Sequence, residues 1–196
     1  ANRDGDLRMV ANCAGIGWAQ RTVGKGGEPH DLAVFEKVVQ VNVIGTFNVI
    51  RLAASAMSQN EPVGEDGERG AMVNIASVAA TIAFPGIAAY SASKSAVERL
   101  TKVAAAESGR LGYGVRVNTV CPGLVPNAMG AQLATDMERL GLFPSVDDAV
   151  GAVVSLTPSG RLATEDDIAN GVAFLLSEES AFVNGVTLSI DGAMGM

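Results

Sequence analysis

The sequence has little of what metal sites and disulfide frameworks need. Its 196 residues include one histidine, His30, and two cysteines, Cys13 and Cys121, which lie far apart. A metal site needs a closer cluster of ligands, and a disulfide framework needs more cysteines. We therefore expect no metal and two buried, reduced thiols, as in a cytoplasmic protein.

Positive charge and long apolar runs are also scarce. Lysine and arginine number 14 against 21 acidic residues, which gives a net charge of −7. This balance disfavours binding to nucleic acid or to an anionic membrane through a general basic surface. No uninterrupted apolar run reaches the roughly 18–20 residues of a membrane span. We expect neither a nucleic-acid partner nor a membrane partner.

What the sequence has in abundance is apolar residues and glycine. Apolar residues make up 48% of the chain and charged residues 18%, so the chain can bury a core. The length favours one domain, covering residues 1–196. The 23 glycines form no repeat, which predicts tight turns and places where the backbone approaches a ligand.

Short apolar strands alternate with helical segments along the chain. The pattern predicts strands over residues 7–11, 71–75, 115–120 and 186–190. Helices are predicted over 31–57, 90–108 and 165–176, with one or two more in 127–160. The strands read as continuous apolar runs, which is typical of a parallel sheet covered on both faces. We predict an α/β fold with a doubly wound parallel sheet.

Three residues of special chemistry follow predicted strands. Asn12, Ser77 and Pro122 each lie just past a strand end. In open α/β sheets, ligands bind outside the carboxyl ends of the strands. These residues should therefore meet at one rim, although a serine or a Pro-Gly pair can also simply form a turn.

Tyr90 and Lys94 are four residues apart in a predicted helix and so share one face. A tyrosine titrates near 10 in water, and a close ammonium group lowers that pKa. The pair could then give or take a proton near neutral pH. Taken alone, it could equally be a helix surface with a stacked ring and a solvated lysine. Asn42, in an otherwise apolar helix, is either a satisfied helix asparagine or a functional one.

Taken together, these motifs resemble the short-chain dehydrogenase/reductase family. The resemblance rests on Asn12-Cys13-Ala14-Gly15, Asn42, Ser77, Tyr90-x-x-x-Lys94 and Pro122-Gly123, and it extends to residues 186–192. The segments 45–52, 59–62 and 76–80 look most like type II 3-hydroxyacyl-CoA dehydrogenases. The last third is more similar to the wider group with 3-oxoacyl-carrier-protein reductases and secondary-alcohol dehydrogenases.

The resemblance implies a Rossmann-like fold and a role for each motif residue. Tyr90 would exchange a proton with the substrate oxygen, Lys94 would hold the nicotinamide ribose, and Ser77 would orient the carbonyl. Asn42 would hold a water in a proton path to Lys94. The cofactor-binding residues would be Asn12, Ala14, Gly15, Ile16, Tyr90, Lys94, Pro122, Gly123, Val125 and Asn127.

The sequence departs from the family pattern in two ways. The first strands, with the Gly-rich turn that binds pyrophosphate, would occupy roughly 60–80 residues before the sequence starts. We therefore expect the chain to be part of a longer protein. A threonine that often contacts the nicotinamide is replaced here by Asn127, whose amide can still form hydrogen bonds.

The resemblance implies an NAD(P)-dependent oxidoreductase that interconverts a secondary alcohol and a ketone. The cofactor would be NAD(H) rather than NADP(H), and the protein a homotetramer. Residues 127–160 would form a substrate lid, and its apolar residues indicate either an apolar ketone or acyl thioester substrate or ordinary packing: Leu133, Met137, Leu140, Leu142 and Phe143. Alternatives are a 3-oxoacyl-carrier-protein reductase, a hydroxysteroid or other alcohol dehydrogenase, and a non-catalytic interaction protein.

Overall fold

The computed structural model describes residues 5–196 and contains one sheet of four parallel strands. The strands are β1 (Met9–Asn12), β2 (Gly70–Ile75), β3 (Val115–Pro122) and β4 (Thr187–Ile190), in the order β1-β2-β3-β4. Their register pairs Asn12 with Asn74 and Thr119 with Thr187. All carboxyl ends therefore lie on one rim, as the sequence predicted.

Within residues 5–196, six α-helices connect or follow the strands. They are α1 (Leu32–Val39), α2 (Gly45–Met57), α3 (Ala88–Leu111), α4 (Ala128–Arg139), α5 (Val146–Leu156) and α6 (Glu165–Leu176). Side-chain oxygens of Asp31, Asn127, Ser145 and Thr164 accept backbone N–H groups at the starts of α1, α4, α5 and α6. These contacts satisfy N–H groups that a helix leaves without partners. Gly112, at φ 73°, ends α3 in a left-handed conformation.

Helices cover both faces of the sheet. On one face, Ile50, Ala53 and Met57 of α2 and Ala105 of α3 pack on Met72, Val115 and Val117. On the other face, Leu175 of α6 packs on Val73 and Val120. This arrangement confirms the predicted doubly wound α/β fold. Met9 and Ala11 of the outer strand β1 are exposed.

The predicted helix over 31–57 contains a π-helical turn that the sequence did not predict. Residues Gln40–Ile44 form this turn between α1 and α2, and the Gly45 N–H donates to the Gln40 carbonyl. The extra residue in the turn changes which side chains face the sheet. π-Helical turns occur often at functional sites, and this one holds Asn42.

The helical segment Leu32–Met57 corrects the expectation about membrane-length segments. By length and composition alone, it could cross a membrane. Its buried residues, however, form one stripe against the rest of the protein: Val38, Asn42, Thr46, Ile50, Ala53 and Met57. A helix that packs one face on the core of a globular protein has the same pattern.

Residues 127–160 fold as α4 and α5, separated by a turn that contains Pro144. Met137, Leu140 and Ala149 pack with Ala19 and Ile87, and Tyr90 lies against the same apolar cluster. Leu133, Leu142 and Phe143 also belong to it. The apolar residues predicted for this segment thus belong to one apolar cluster, and Tyr90 packs against that cluster.

Candidate active site

The carboxyl rim of the sheet brings the predicted catalytic residues together. Ser77 follows β2, Tyr90 lies in the first turn of α3, and Lys94 lies one turn later. Ser77 lies close enough to the Tyr90 hydroxyl to influence its pKa. A hydroxyl pair of this kind can hold a substrate oxygen while one member exchanges a proton with it.

Ser77 is held by the turn that follows it. Its extended backbone precedes a short 3₁₀ turn, Val78–Ala80, and its Oγ accepts the Ala79 N–H at 3.2 Å. The predicted turn-capping role of this serine is therefore present. Its position beside Tyr90 adds a second role, so the two interpretations of Ser77 are compatible.

Lys94 is a buried cation at the centre of the site. It is 5% exposed, and its Nζ donates to the Ile75 carbonyl at 2.7 Å and lies 5.6 Å from the centre of the Tyr90 ring. Burial lowers the pKa of Lys94 to about 8. The side chain is still mainly charged at pH 7, and within residues 5–196 its ammonium group has one hydrogen-bond acceptor.

The pKa of Tyr90 differs from the sequence prediction. Burial raises the pKa of Tyr90 above its usual value near 10, and the nearby Ser77 side chain offsets part of that rise. The expected lowering by Lys94 is not seen, although its Nζ lies 5.6 Å from the centre of the Tyr90 ring. The isolated protein therefore keeps Tyr90 protonated at neutral pH.

Asn42 fixes the loop that follows β1. Its Oδ1 accepts the Ile16 N–H at 2.8 Å, and its Nδ2 donates to the Ile16 carbonyl at 2.9 Å and to the Ser93 Oγ at 3.0 Å. The Ser93 Oγ in turn donates to the Tyr90 carbonyl at 2.7 Å. Asn42 is thus a satisfied buried asparagine that also joins the loop after β1 to the Tyr90 turn. The role of Ser93 was not predicted, because a serine within a helix is not a distinctive sequence signal.

The predicted cofactor-binding residues that follow β1 lie on the same rim but differ in exposure and in hydrogen bonding. Ala14 is exposed, and Gly15 and Ile16 are half-buried. Asn12, in contrast, is buried, and its Nδ2 donates to the Asn74 Oδ1 at 3.2 Å, within the layer between the sheet and α3. Its side chain therefore links β1 to β2 in this structure.

The turn after β3 is narrow. Pro122 is buried and Gly123 is half-buried, and a Cβ on Gly123 would lie 3.1 Å from the Asp191 Cα. Val125 is half-buried. Asn127 is exposed, and its Oδ1 accepts the Gly130 N–H at 3.0 Å as the cap of α4. The capping role was not predicted, although asparagine before a helix is a common signal for it.

The two cysteines differ from the expectation of two buried thiols. Both are free, but Cys13 is exposed while Cys121 is buried. Cys13 follows the outer strand β1, where neighbouring residues are also exposed. Within residues 5–196, no group of three or more potential ligands could hold a metal ion.

The site residues fit a nicotinamide nucleotide on two observations. Lys94 places a buried ammonium group with further protons to donate next to Gly15. A Cβ on Gly15 would lie 3.4 Å from both the Lys94 Nζ and the Asn42 Oδ1, so a side chain there would fill the space beside the ammonium group. A cation and a glycine cleft suit the hydroxyl groups of a ribose.

Comparisons with known proteins agree with this site. A model of the family described as enoyl-(acyl carrier protein) reductase matches residues 1–195. The type-2 3-hydroxyacyl-CoA dehydrogenase of Homo sapiens is 38% identical over 195 residues, which cover 98% of this chain and 68% of that protein. The chain spans about two thirds of the length of the curated relatives that it matches.

Two solved structures are similar as well. One is an NAD⁺-bound xylitol dehydrogenase, with a TM-score of 0.83 and 29% identity over 96% of this chain and 69% of that one. The other is a gluconate 5-dehydrogenase from Burkholderia cenocepacia in complex with NADP and tartrate, with a TM-score of 0.79 and 31% identity over 98% and 66%. The chain therefore belongs to the short-chain dehydrogenase/reductase family, a family of oxidoreductases that use nicotinamide cofactors.

Proposed function

We propose that the protein interconverts a secondary alcohol and a ketone with NAD(H), and that its substrate pair is a 3-hydroxyacyl-CoA and the 3-oxoacyl-CoA. The observation that carries the proposal is the placement of Ser77 beside Tyr90, with the buried Lys94 ammonium 5.6 Å from the centre of the Tyr90 ring. The likeness to a 3-hydroxyacyl-CoA dehydrogenase supports the substrate class, and the likeness to an NAD⁺-bound xylitol dehydrogenase supports NAD(H).

Ser77 and Tyr90 divide the work on the substrate oxygen. In ketone reduction, both hydroxyls donate to the carbonyl oxygen, and Tyr90 transfers its proton as negative charge develops there. A positioned proton donor of this kind contributes about 10²–10⁴-fold in rate. The raised pKa of Tyr90 keeps its proton available at neutral pH, which suits reduction.

Lys94 supports this transfer through its charge. Its ammonium group, close to the ring, offsets the negative charge that Tyr90 acquires when it gives up its proton. Lys94 would also hold the ribose hydroxyls of the cofactor, with Gly15 leaving room for them. The bound cofactor supplies or accepts the hydride.

Asn42 would keep the loop that carries Gly15 and Ile16 in place and hold the water of a proton path to Lys94. Asn12, Ala14 and Gly15 would line the adenosine side of the cofactor, and Ile16 its ribose. Pro122, Gly123, Val125 and Asn127 would flank the nicotinamide. Residues 127–160 would act as a substrate lid on the single domain formed by residues 1–196.

A 3-oxoacyl-carrier-protein reductase is the second candidate. The description of the matching family model, an acyl-carrier-protein reductase, favours it. Both candidates reduce a 3-oxoacyl thioester, so they require the same rim chemistry. They differ in what carries the acyl group and in the expected cofactor.

The assay that tests this proposal uses the whole protein, meaning these 196 residues with any sequence that the gene encodes around them. NADH and NADPH are each combined with acetoacetyl-CoA, acetoacetyl-carrier protein and simple cyclic ketones, and nucleotide oxidation is followed by absorbance. We expect the highest kcat/KM for NADH with acetoacetyl-CoA. A preference for NADPH and the carrier protein would select the second candidate, and no oxidation with any pair would contradict both.

Ser77→Ala in the same assay tests the assignment of the rim. Removing a donor aimed at the developing negative charge costs about 10²–10³-fold in kcat. Ser55→Ala is the matched control, because Ser55 is exposed on α2. Equal turnover in the two variants would remove Ser77 from the mechanism.

We also propose a cytoplasmic homotetramer. Ile44, Phe47 and Leu52 on the π turn and α2, and Val103 on α3, are each about half exposed and would be covered by a neighbouring subunit. The free thiols and acidic composition fit the cytoplasm. Sedimentation of the whole protein as a monomer would contradict the assembly, and its recovery outside the cytoplasmic fraction would contradict the compartment.

A further inference from the structure

A cleft lies beside the catalytic rim, between the loop that follows β1 and helix α4. Its volume of about 830 Å³ falls within the roughly 300–1,000 Å³ of small-molecule sites. Gly17 and Trp18 line it directly after Ile16, and Leu140, at the end of α4, lines it as well. Leu140 also belongs to the apolar cluster against which Tyr90 packs. The cleft therefore adjoins the candidate active site but lies outside it.

Two positively charged side chains come together in this cleft. A Cβ on Gly141 would lie 2.8 Å from the Lys25 Nζ and 3.9 Å from the Arg21 Nη2, so both groups lie next to the same point. Within residues 5–196, neither of them forms an ion pair with a carboxylate. Two like charges held close together repel each other, and an anion that contacts both would remove this repulsion.

The hydrogen bonding of Arg21 is incomplete within the described part of the chain. Its Nη2 donates to the Leu140 carbonyl, which holds the guanidinium against the end of α4. Its Nε is buried and has no hydrogen-bond partner among residues 5–196. Buried donors without an acceptor are rare and costly. The oxygens of a phosphate group match the fork of donors that a guanidinium presents.

The carboxylates that line the cleft do not neutralise these two cations. Asp136 pairs with Arg139 at 2.9 Å, and Asp31 accepts a backbone N–H as the cap of α1. Glu28 lies against Gly24, where a Cβ would collide with its Oε1. Glu28 is thus the one carboxylate of this lining without such a partner, and its charge opposes the binding of an anion.

We propose that this cleft binds the phosphate groups of the molecule that carries the acyl thioester, and that Arg21 and Lys25 contact them. The inference rests on the proposed function, since the thioester substrate gives the cleft its purpose. Coenzyme A and the phosphopantetheine arm of a carrier protein share this chemistry, because both join the thioester through pantetheine to a phosphate. Trp18, half exposed in the lining, offers a ring on which the adenine of CoA can stack.

Calorimetry of the whole protein with CoA and with pantetheine, which has no phosphate, tests the cleft without any turnover. Arg21→Ala and Lys25→Ala should each weaken CoA binding by about 10-fold and leave pantetheine binding unchanged, because only CoA offers phosphate oxygens. Lys37→Ala, at an exposed position of α1 outside the cleft, is the matched control and should bind CoA normally. Unchanged CoA affinity in both cleft variants would overturn the inference. A protein that binds CoA through these cations yet reduces no ketone would overturn only the proposed function.

Kinetics separate phosphate binding from a general effect on the fold. For acetoacetyl-CoA, Arg21→Ala should raise KM by about 10-fold with kcat nearly unchanged, because the contact is equally strong in the ground state and the transition state. For acetoacetyl-pantetheine, KM should not change. Arg21→Lys keeps the charge and should recover part of the affinity. Equal rises in KM for both substrates, or a loss of affinity for NADH in place of CoA, would contradict the proposal.

Glu28→Gln tests the sign of the electrostatic effect. Removing this carboxylate should strengthen CoA binding by about 3-fold, and weaker binding would count against an anion in the cleft. Acetoacetyl-carrier protein as a third substrate identifies the source of the phosphate. If Arg21→Ala raises KM for this substrate and not for acetoacetyl-CoA, the cleft binds the phosphopantetheine arm, and if it raises neither KM, the proposal fails.

Discussion

The two ends of the central strand β3 use buried polar groups in opposite ways. Near the amino end, Arg116 is 6% exposed, and its Nε lies 2.5 Å from the Glu68 Oε2. Its other nitrogens donate to the Leu175 and Ser177 carbonyls and to the Ser180 Oγ. Every nitrogen of this guanidinium has an acceptor, so the buried charge is fully hydrogen-bonded. These hydrogen bonds join β3 to the end of α6 and to the turn that follows it.

The carboxyl end holds a cation with far less support. Lys94 is as deeply buried as Arg116, but its ammonium donates to one carbonyl within residues 5–196, and its pKa falls to about 8. The pKa of Tyr90, which lies beside Lys94, is also shifted, in this case upwards. The buried polar groups at the amino end therefore stabilise the fold, whereas those at the carboxyl end have shifted pKa values of the kind that suits catalysis.

The largest expected loss of stability tests the amino end. Arg116→Ala should lower the free energy of unfolding by about 3 kcal/mol, because Glu68 loses its partner and two carbonyls and a hydroxyl lose their donor. Chemical denaturation of the purified protein measures the change. Arg99→Ala, on the exposed side of α3, is the control and should cost little. A similar small cost in both would show that the Arg116 network stabilises nothing.

At the carboxyl end, Lys94→Met should have the opposite effect and raise the free energy of unfolding. A pKa of about 8 in the folded state, against 10.5 unfolded, means that the charged lysine destabilises the fold below pH 8. Allowing for the hydrogen bond lost at the Ile75 carbonyl, the variant should be more stable by about 2 kcal/mol at pH 7, and inactive.

The pH dependence provides a check on that cause. Between about pH 8 and 10.5 the folded protein gives up the Lys94 proton before the unfolded chain does, so this group adds stability as the pH rises. The advantage of Lys94→Met should therefore shrink over that window. Lys102→Met, on the exposed face of α3, is the control. An advantage that is constant with pH would mean that packing, and not charge, explains it.

The smallest expected effect refines the account of the amino end. Ser180→Ala removes one acceptor of Arg116, whose other partners remain, so the cost should be about 1 kcal/mol. Turnover per folded molecule should be unchanged, because Ser180 lies at the other end of the sheet. A loss of turnover without a loss of stability would break the division between the two ends.

The sequence predicted the elements of this fold more readily than their interior details. Alternating apolar segments were enough to predict the parallel sheet and helices on both faces, and Glu165–Leu176 agrees with its prediction because Thr164 caps it. The π turn at Gln40–Ile44 was missed because it depends on tertiary contacts of Asn42. Arg116 was missed because its partners are distant in sequence.

The site divides in the same way. Tyr90 and Lys94 could be paired from their spacing, since a helix places residues four apart on one face. The direction of the Tyr90 pKa shift could not be predicted, because it depends on how deeply the folded protein buries the ring. Arg21 and Lys25 come together only when the loop after β1 lies against Gly141, and neither residue carries a sequence signal of that contact.

The central claim, that Tyr90 exchanges the substrate proton at the carboxyl rim, is tested most directly by comparing the two tyrosines. The kcat for NADH-dependent reduction of the preferred ketone is measured for Tyr90→Phe and for Tyr113→Phe, with thermal unfolding recorded for both. The account predicts a loss of at least about 10²-fold for Tyr90→Phe with a nearly unchanged melting temperature, and normal turnover for Tyr113→Phe. Near-native turnover in Tyr90→Phe would contradict it.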